Sequence, residues 1–251
     1  MPPDGEFNLS DFKSAVKVLV GDITARGRLP LIVGGTGQYI RALLSGWEIP
    51  ATPPNEAMRK ALGEWADQIG ALRLHQLLAK IDPQAAEVIE YQNVRRSIRA
   101  WEVILTTGQR FSDLRVRKDS DFDALQIGIR RPREALYARI DDRIQAMLDA
   151  GLIAEVAGLM AKGYSLDLPS MSAIGYREIA AYLSGQISLD EAIVLMKRNT
   201  RTYVRRQANW FKENDPAIKW VDYSDEVSEL VISRLRQDQR VKRMLEQQGQ
   251  A

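Results

Sequence analysis

Apolar residues recur at helical spacing along most of this chain, and strand-like runs are few. Phe12, Val16, Leu19 and Ile23 share one face of a helix that Ser10 can cap and Gly27 can close. Leu31-Ile-Val33 differs: it is a short apolar run without polar alternation. Such a run reads as a parallel strand covered on both faces. Gly34, Gly35 and Gly37 then turn the chain, and Tyr39, Ile40, Leu43 and Leu44 resume helical spacing. Strand, glycine turn, helix is how open α/β sheets place ligands at the carboxyl ends of strands. Thr36 brings the one reactive side chain in the turn, a hydroxyl. A tight βα turn without chemistry fits the same spacing, because short loops are common in such folds.

Trp47 to Asn55 holds Pro50, Pro53 and Pro54 and reads as a linker. Helical faces follow: Met58, Leu62, Trp65 and Ile69, then Leu74, Leu77 and Leu78. Asp82-Pro83 opens a third helix. Asn93 caps a fourth, which carries Ile98, Trp101 and Leu105 and ends at Gly108. Leu125 to Ile129 and Ile218 to Val221 are the other strand candidates. Between them, Pro132 opens a helix with Leu136, Ile140, Ile144 and Met147 inward, and Gly151 and Gly163 bracket another. A helix over 172–183 ends at Gly185, and Ser188 with Glu191 makes a capping box for a long basic helix. Ser224 caps a last helix whose polar tail frays past Arg236.

The expected organisation is an α/β core in 1–54, an all-helical insertion in 55–118, a return to the core with basic helices in 119–223, and a C-terminal helix and tail in 224–251. Three strand candidates are few for a sheet that usually has about five or six. The expected fold is therefore a partial parallel sheet core without its first strands, which would leave Leu31 to Val33 with an exposed apolar edge and face, and the chain reads as if it starts inside a domain.

Composition narrows the chemistry. There are no cysteines, so disulfides and thiolate metal sites are excluded, and His75 is the only histidine, which removes His clusters. Lying among leucines, His75 reads as a helix-surface or boundary residue. No apolar run nears the ~18 residues of a membrane helix, and no signal peptide is visible, so a cytoplasmic protein without a membrane partner is expected. Net charge is +2, but the residues from Val94 to Lys118 carry seven bases against Glu102 and Asp113. Those from Lys197 to Lys212 carry six bases and no acid. These two runs, at +5 and +6, lie on an otherwise acidic chain and suggest a polyanion site. Solvated helix faces are the plainer alternative.

Five stretches, in order, resemble bacterial tRNA dimethylallyltransferases. They are Gly34-Gly-Thr-Gly-Gln-Tyr39; Asp82-Pro83 with Asn93-Val-Arg-Arg-Ser-Ile-Arg-Ala-Trp-Glu-Val103 and Thr107-Gly108; Gly151-Leu-Ile-Ala-Glu-Val156; Ala173-Ile-Gly-Tyr-Arg-Glu178; and Lys197 through Phe211. The resemblance covers residues 3 to 223. Gln38, Trp101 and Asn209 depart from the family's usual residues.

The resemblance implies a P-loop-type α/β core with a helical insertion that grips the tRNA anticodon stem-loop. It implies transfer of a dimethylallyl group from dimethylallyl diphosphate to the exocyclic amine of the adenosine 3′ of the anticodon. Mg²⁺ assists that reaction, and the protein is expected to be a monomer. By the same resemblance Thr36 orients the reacting groups in the turn of Gly34, Gly35 and Gly37. Arg59, Arg95, Arg96, Arg99, Ala173, Gly175, Tyr176, Arg177, Arg205, Arg206, Gln207, Trp210 and Lys212 face tRNA. Core packing is an alternative for Tyr176, and for Trp210 beside Tyr203; Arg177 could reach the diphosphate in place of an RNA phosphate, and Arg59 could be a solvated charge on an amphipathic helix. The family's phosphate loop, G-x-x-x-x-G-K-[ST], and its Asp-Ser segment are not found in these 251 residues. The Mg²⁺ ligands and the proton-accepting aspartate are therefore expected outside them. A non-catalytic RNA-binding derivative of the family is the competing expectation.

Overall fold

The computed structural model describes residues 1–5, 7–46, 53–114 and 120–242. Residues 47–52 of the predicted proline linker, Arg115, Arg117, Lys118 and the tail from 243 lie outside the described residues. The chain divides into two compact units, Met1–Ile40 with Asp123–Ala251, and Arg41–Phe122.

In the first unit, α1 spans Leu9–Ala25, and α2 begins there and spans Gly37–Leu44. After the helical unit come β1 (Gln126–Arg130), α7 (Arg133–Asp149), α8 (Leu152–Ala161), α9 (Tyr176–Leu183), α10 (Leu189–Trp210), β2 (Ile218–Asp222) and α11 (Val227–Gln237). β1 and β2 pair in parallel, Gln126 opposite Ile218 through Arg130 opposite Asp222. The fold is thus helix-rich α/β. Gly128 is needed at the centre of this ladder, because a Cβ there would lie 2.6 Å from the Trp220 ring. Ile140, Ile144, Leu152, Val156, Ile179, Ala192 and Met196 form the core between α7, α8, α9 and α10.

The second unit is helical: α3 (Glu56–Ile69), α4 (Ala71–Ile81), α5 (Pro83–Val88) and α6 (Val94–Thr107). Leu62, Leu74, Leu78, Ile89, Ala100, Trp101 and Val103 are its core, with Trp65 edge-on to Trp101. Asp82 and Asn93 cap their helices as the sequence predicts, and Gly108 closes α6 in the left-handed region. His75 is half-buried, and its Nε2 donates to the carbonyls of Ile89 and Ala86 at 2.8 and 3.0 Å.

Several expectations are corrected. The predicted strand Leu31 to Val33 has no strand partner among the described residues, and it is exposed, Leu31 by 66% and Val33 by 95%. A strand is defined by its ladder, and apolar character alone does not supply one. α1 is capped by Asn8, which forms a capping box with Asp11, and not by Ser10. The helix predicted from 172 begins only at Tyr176, because Gly175 stands at φ +102° and breaks it. Glu226, not Ser224, precedes α11. Leu105 is exposed while Glu102 is fully buried. Past Arg236 the chain does not fray within the described residues: Arg240 donates to Asp238 and to the Ala124 carbonyl, and Val241 is buried.

Candidate nucleic-acid interface

The glycine turn is held from behind by α10. Gln207 Nε2 donates to the Gly35 carbonyl at 2.9 Å. A Cβ on Gly35 would collide with that amide, and a Cβ on Gly37 would collide with Cβ and Cγ of Trp210. Gly37 is therefore required by close approach, whereas at Gly35 the flexible end of Gln207 would have to move and give up its hydrogen bond. The Thr36 carbonyl accepts the N–H groups of Tyr39 and Ile40 at 2.9 and 3.2 Å, which starts α2. Thr36 itself is exposed, as is Gly34. An exposed hydroxyl thus stands at a helix N-terminus, in a turn fixed by two side chains from α10. Gln207 and Trp210, both predicted to face tRNA, contact this turn, and Trp210 packs on Gly37.

α10 presents its bases on the rest of its surface. Arg205, Arg206 and the following Lys212 are exposed, and Arg205 Nη2 donates to Thr202 Oγ1 at 2.9 Å. Asp141 of α7 holds Arg201 at 2.9 Å and Lys197 at 3.5 Å. Arg201 also lies 5.0 Å from the Tyr137 ring. Tyr137, Val194, Lys197, Arg198, Arg201 and Arg205 line an open groove of about 450 Å³. Among the described residues Asp141 is the one carboxylate paired with these four bases, and it leaves most of their charge uncompensated.

The corner before α9 gathers the predicted residues Ala173, Gly175, Tyr176 and Arg177. Ala173 and Arg177 are exposed, and Gly175 is buried. Tyr176 packs against the core, and its hydroxyl donates to Glu155. That hydrogen bond to a carboxylate, with burial, raises the phenol's pKa. Arg177 donates to Glu178, which is 2% exposed. Burial alone would raise the Glu178 pKa; the Gly175 N–H, Arg177 and Asn199 together bring it below the usual carboxylate range.

In the helical unit a second buried carboxylate organises the bases. Glu102 accepts the Asn55 N–H at 2.7 Å, Arg59 through Nε and Nη2 at 3.0 Å, and Arg99 Nη1 at 2.5 Å. Burial opposes its ionisation, but Arg59, the Asn55 N–H and Arg99 win, so its pKa is lowered. Arg59 and Arg99 are thus drawn to Glu102, whereas Arg95 and Arg96 are exposed and have no partner among the described residues. Glu102 and Glu178 were legible only as charges. A glutamate in apolar register, between Trp101 and Val103, is the signal that marks Glu102.

A parallel α/β unit thus carries a clamped glycine turn beside a basic helix. The chain belongs to the IPP transferase family, whose model matches residues 1–214. It is 42% identical to the tRNA dimethylallyltransferase of Dehalococcoides mccartyi over 234 residues, 93% of this chain and 72% of that protein. It is 46% identical to that of a Roseiflexus species, strain RS-1, over 210 residues, 84% of this chain and 69% of that protein. Among solved structures it resembles the full-length tRNA isopentenylpyrophosphate transferase of Bacillus halodurans, with TM-score 0.64 and 34% identity over 100% of this chain and 78% of that one. A eukaryotic dimethylallyltransferase acting on tRNA shares the fold, with TM-score 0.73, 24% identity and coverage of 92% and 62%. The family is one of transferases.

Proposed function

We propose that this chain serves the transfer of a dimethylallyl group from dimethylallyl diphosphate to the exocyclic amine of the adenosine 3′ of the anticodon. The observation that carries this reading is the clamp of Gln207 and Trp210 on the glycine turn, which ties a basic helix to an exposed hydroxyl. In this reading Arg205, Arg206 and Lys212 take tRNA phosphates, with Arg177 at the neighbouring corner. Arg95 and Arg96 of the helical unit meet the anticodon arm. The adenine must leave the loop stack before it can react. Thr36 then hydrogen-bonds and orients the amine, a weak nucleophile. The amine nitrogen bonds the allylic carbon, the carbon–oxygen bond to diphosphate breaks, and the amine loses a proton.

Neither the proton acceptor nor the diphosphate cradle is assigned within these 251 residues. Leaving diphosphate demands N–H groups and cations around it. The described residues hold no group of three Asp, Glu, His or Cys side chains suited to a metal, and the glycine turn has no carboxylate, so no Mg²⁺ ligand is assigned among them. The absence of a G-x-x-x-x-G-K-[ST] loop from the sequence supports a second reading, in which these residues alone bind tRNA without transfer.

One experiment tests both. The purified 251 residues are mixed with dimethylallyl diphosphate, Mg²⁺ and tRNA, and adenosine modification is read by mass spectrometry beside tRNA binding. Binding without multiple-turnover product is expected. Multiple-turnover product would mean that the donor site lies within these residues. No binding would overturn the tRNA reading.

A further inference from the structure

Glu178 ends the Ala173–Glu178 sequence block, yet the proposed reaction gives it no role. It is buried beneath the first turn of α9 and satisfied from three sides. Oε2 accepts the Gly175 N–H at 2.8 Å. Oε1 accepts Arg177 Nη2 at 2.8 Å, Arg177 Nε at 3.3 Å, and Asn199 Nδ2 at 2.8 Å. The same carboxylate therefore closes the φ +102° turn at Gly175, grips Arg177 and reaches α10 through Asn199. Two sequence blocks, Ala173–Glu178 and Lys197–Phe211, meet on one side chain.

The geometry leaves Arg177 half used. A guanidinium carries five N–H donors in a rigid fork. Nε and Nη2 face Glu178, while the side chain as a whole is 59% exposed. A surface arginine ordinarily gives up rotamer freedom when it grips a phosphate, and this one has already given up part of it. We propose that Glu178 is a positioning residue for RNA: it clasps one edge of the Arg177 guanidinium, presents the other edge to a tRNA phosphate, and fixes that edge relative to α10 through Asn199. The inference rests on the tRNA reading above.

Charge and positioning predict opposite signs. Removing a carboxylate near a polyanion site favours RNA by charge alone. Removing a positioning group weakens RNA binding by the ordering it no longer supplies. The test is binding of an anticodon stem-loop RNA to the 251-residue chain, with Arg177→Ala, Glu178→Gln, their double variant and Arg177→Lys. Glu178→Gln is expected to weaken binding about two- to tenfold. In the Arg177→Ala background it should have no further effect, since coupled residues are not additive. Arg177→Lys leaves Glu178 intact at an exposed position, so it folds even where Glu178→Gln does not; it should lose most of what Arg177→Ala loses. Unchanged or tighter binding by Glu178→Gln, an equal loss in the Arg177→Ala background, or full binding by Arg177→Lys would overturn the proposal. Full binding by Arg177→Ala would overturn it while leaving the role of α10 intact, whereas no binding by the unaltered chain would remove the tRNA reading itself.

Discussion

Gln207 donates its side-chain amide to the carbonyl of Gly35, 172 residues earlier in the chain. One helical turn further on, Trp210 covers Gly37. The position of Thr36 therefore depends on the same helix that carries Arg205 and Arg206. Gly37→Ala should place a methyl group into Trp210 and cost about 1–3 kcal/mol, the usual penalty of overpacking. Trp210→Ala should recover part of that loss in the double variant. Urea unfolding of the four proteins measures both effects. An unchanged midpoint for Gly37→Ala would mean that the contact is not tight.

Thr36→Ala should leave tRNA binding by the 251 residues unchanged, because the hydroxyl is assigned to the amine and not to a phosphate. Joined to a working donor site, the same change should lower turnover about 10²-fold, as loss of one positioned hydrogen bond commonly does. Titration of RNA into the variant tests the first half and single-turnover kinetics the second. Weakened binding with unchanged turnover would make Thr36 an RNA contact only.

Glu102 should matter more to stability than either arginine bound to it. Glu102→Ala leaves the Asn55 N–H and two guanidinium groups without their acceptor, at a cost of about 1–3 kcal/mol. Arg59→Ala leaves Glu102 still paired with Arg99, and Arg59 reaches solvent, so about 1 kcal/mol or less is expected. Trp65 and Trp101 lie together in this unit, 5.6 Å apart, and their fluorescence reports its unfolding. Equal losses for the two variants would contradict the assignment of Glu102 as the shared acceptor.

What was legible in the sequence was local. The Ser188–Glu191 box, Asp82-Pro83, Asn93 and Gly108 signal through neighbours three or four residues away, and each stands where predicted. The strand pair was legible as two apolar runs of a parallel sheet, though which residues stand opposite one another was not. The strand assignment of Leu31 to Val33 failed because a ladder depends on partners that no local pattern specifies, while the exposure of the run agrees with the expectation for a core without its first strands. Glu102 and Glu178 were missed for the same reason. Their donors include Asn55 and Arg59, 47 and 43 residues away from Glu102, and Asn199, 21 residues away from Glu178. The basic runs were legible as charge, but not that Arg59, Arg99 and Arg177 would meet buried carboxylates.

Acid should destabilise the fold. Glu102 and Glu178 ionise more readily folded than unfolded, so they bind fewer protons in the folded state. Their contribution is complete above the unfolded glutamate value of about 4.3 and is lost as pH falls through the lowered folded values. Asp238, held at about 2 chiefly by its hydrogen bonds to Arg240, extends the loss to still lower pH. Urea midpoints between pH 7 and pH 3 should fall, and less steeply in Glu102→Gln than in the unaltered chain. A midpoint that stays level or rises on acidification would contradict these assignments.

The central claim is that the exposed bases of α10 hold tRNA. The most direct measurement is the salt dependence of anticodon stem-loop binding by the 251 residues. Affinity should fall steeply with salt, each neutralised phosphate contributing roughly 0.7 to 0.9 to the logarithmic slope. Replacing Arg205 and Arg206 together by alanine should reduce that slope by roughly 1 to 2 units. An affinity indifferent to salt, or a slope that the double variant leaves unchanged, would contradict the claim.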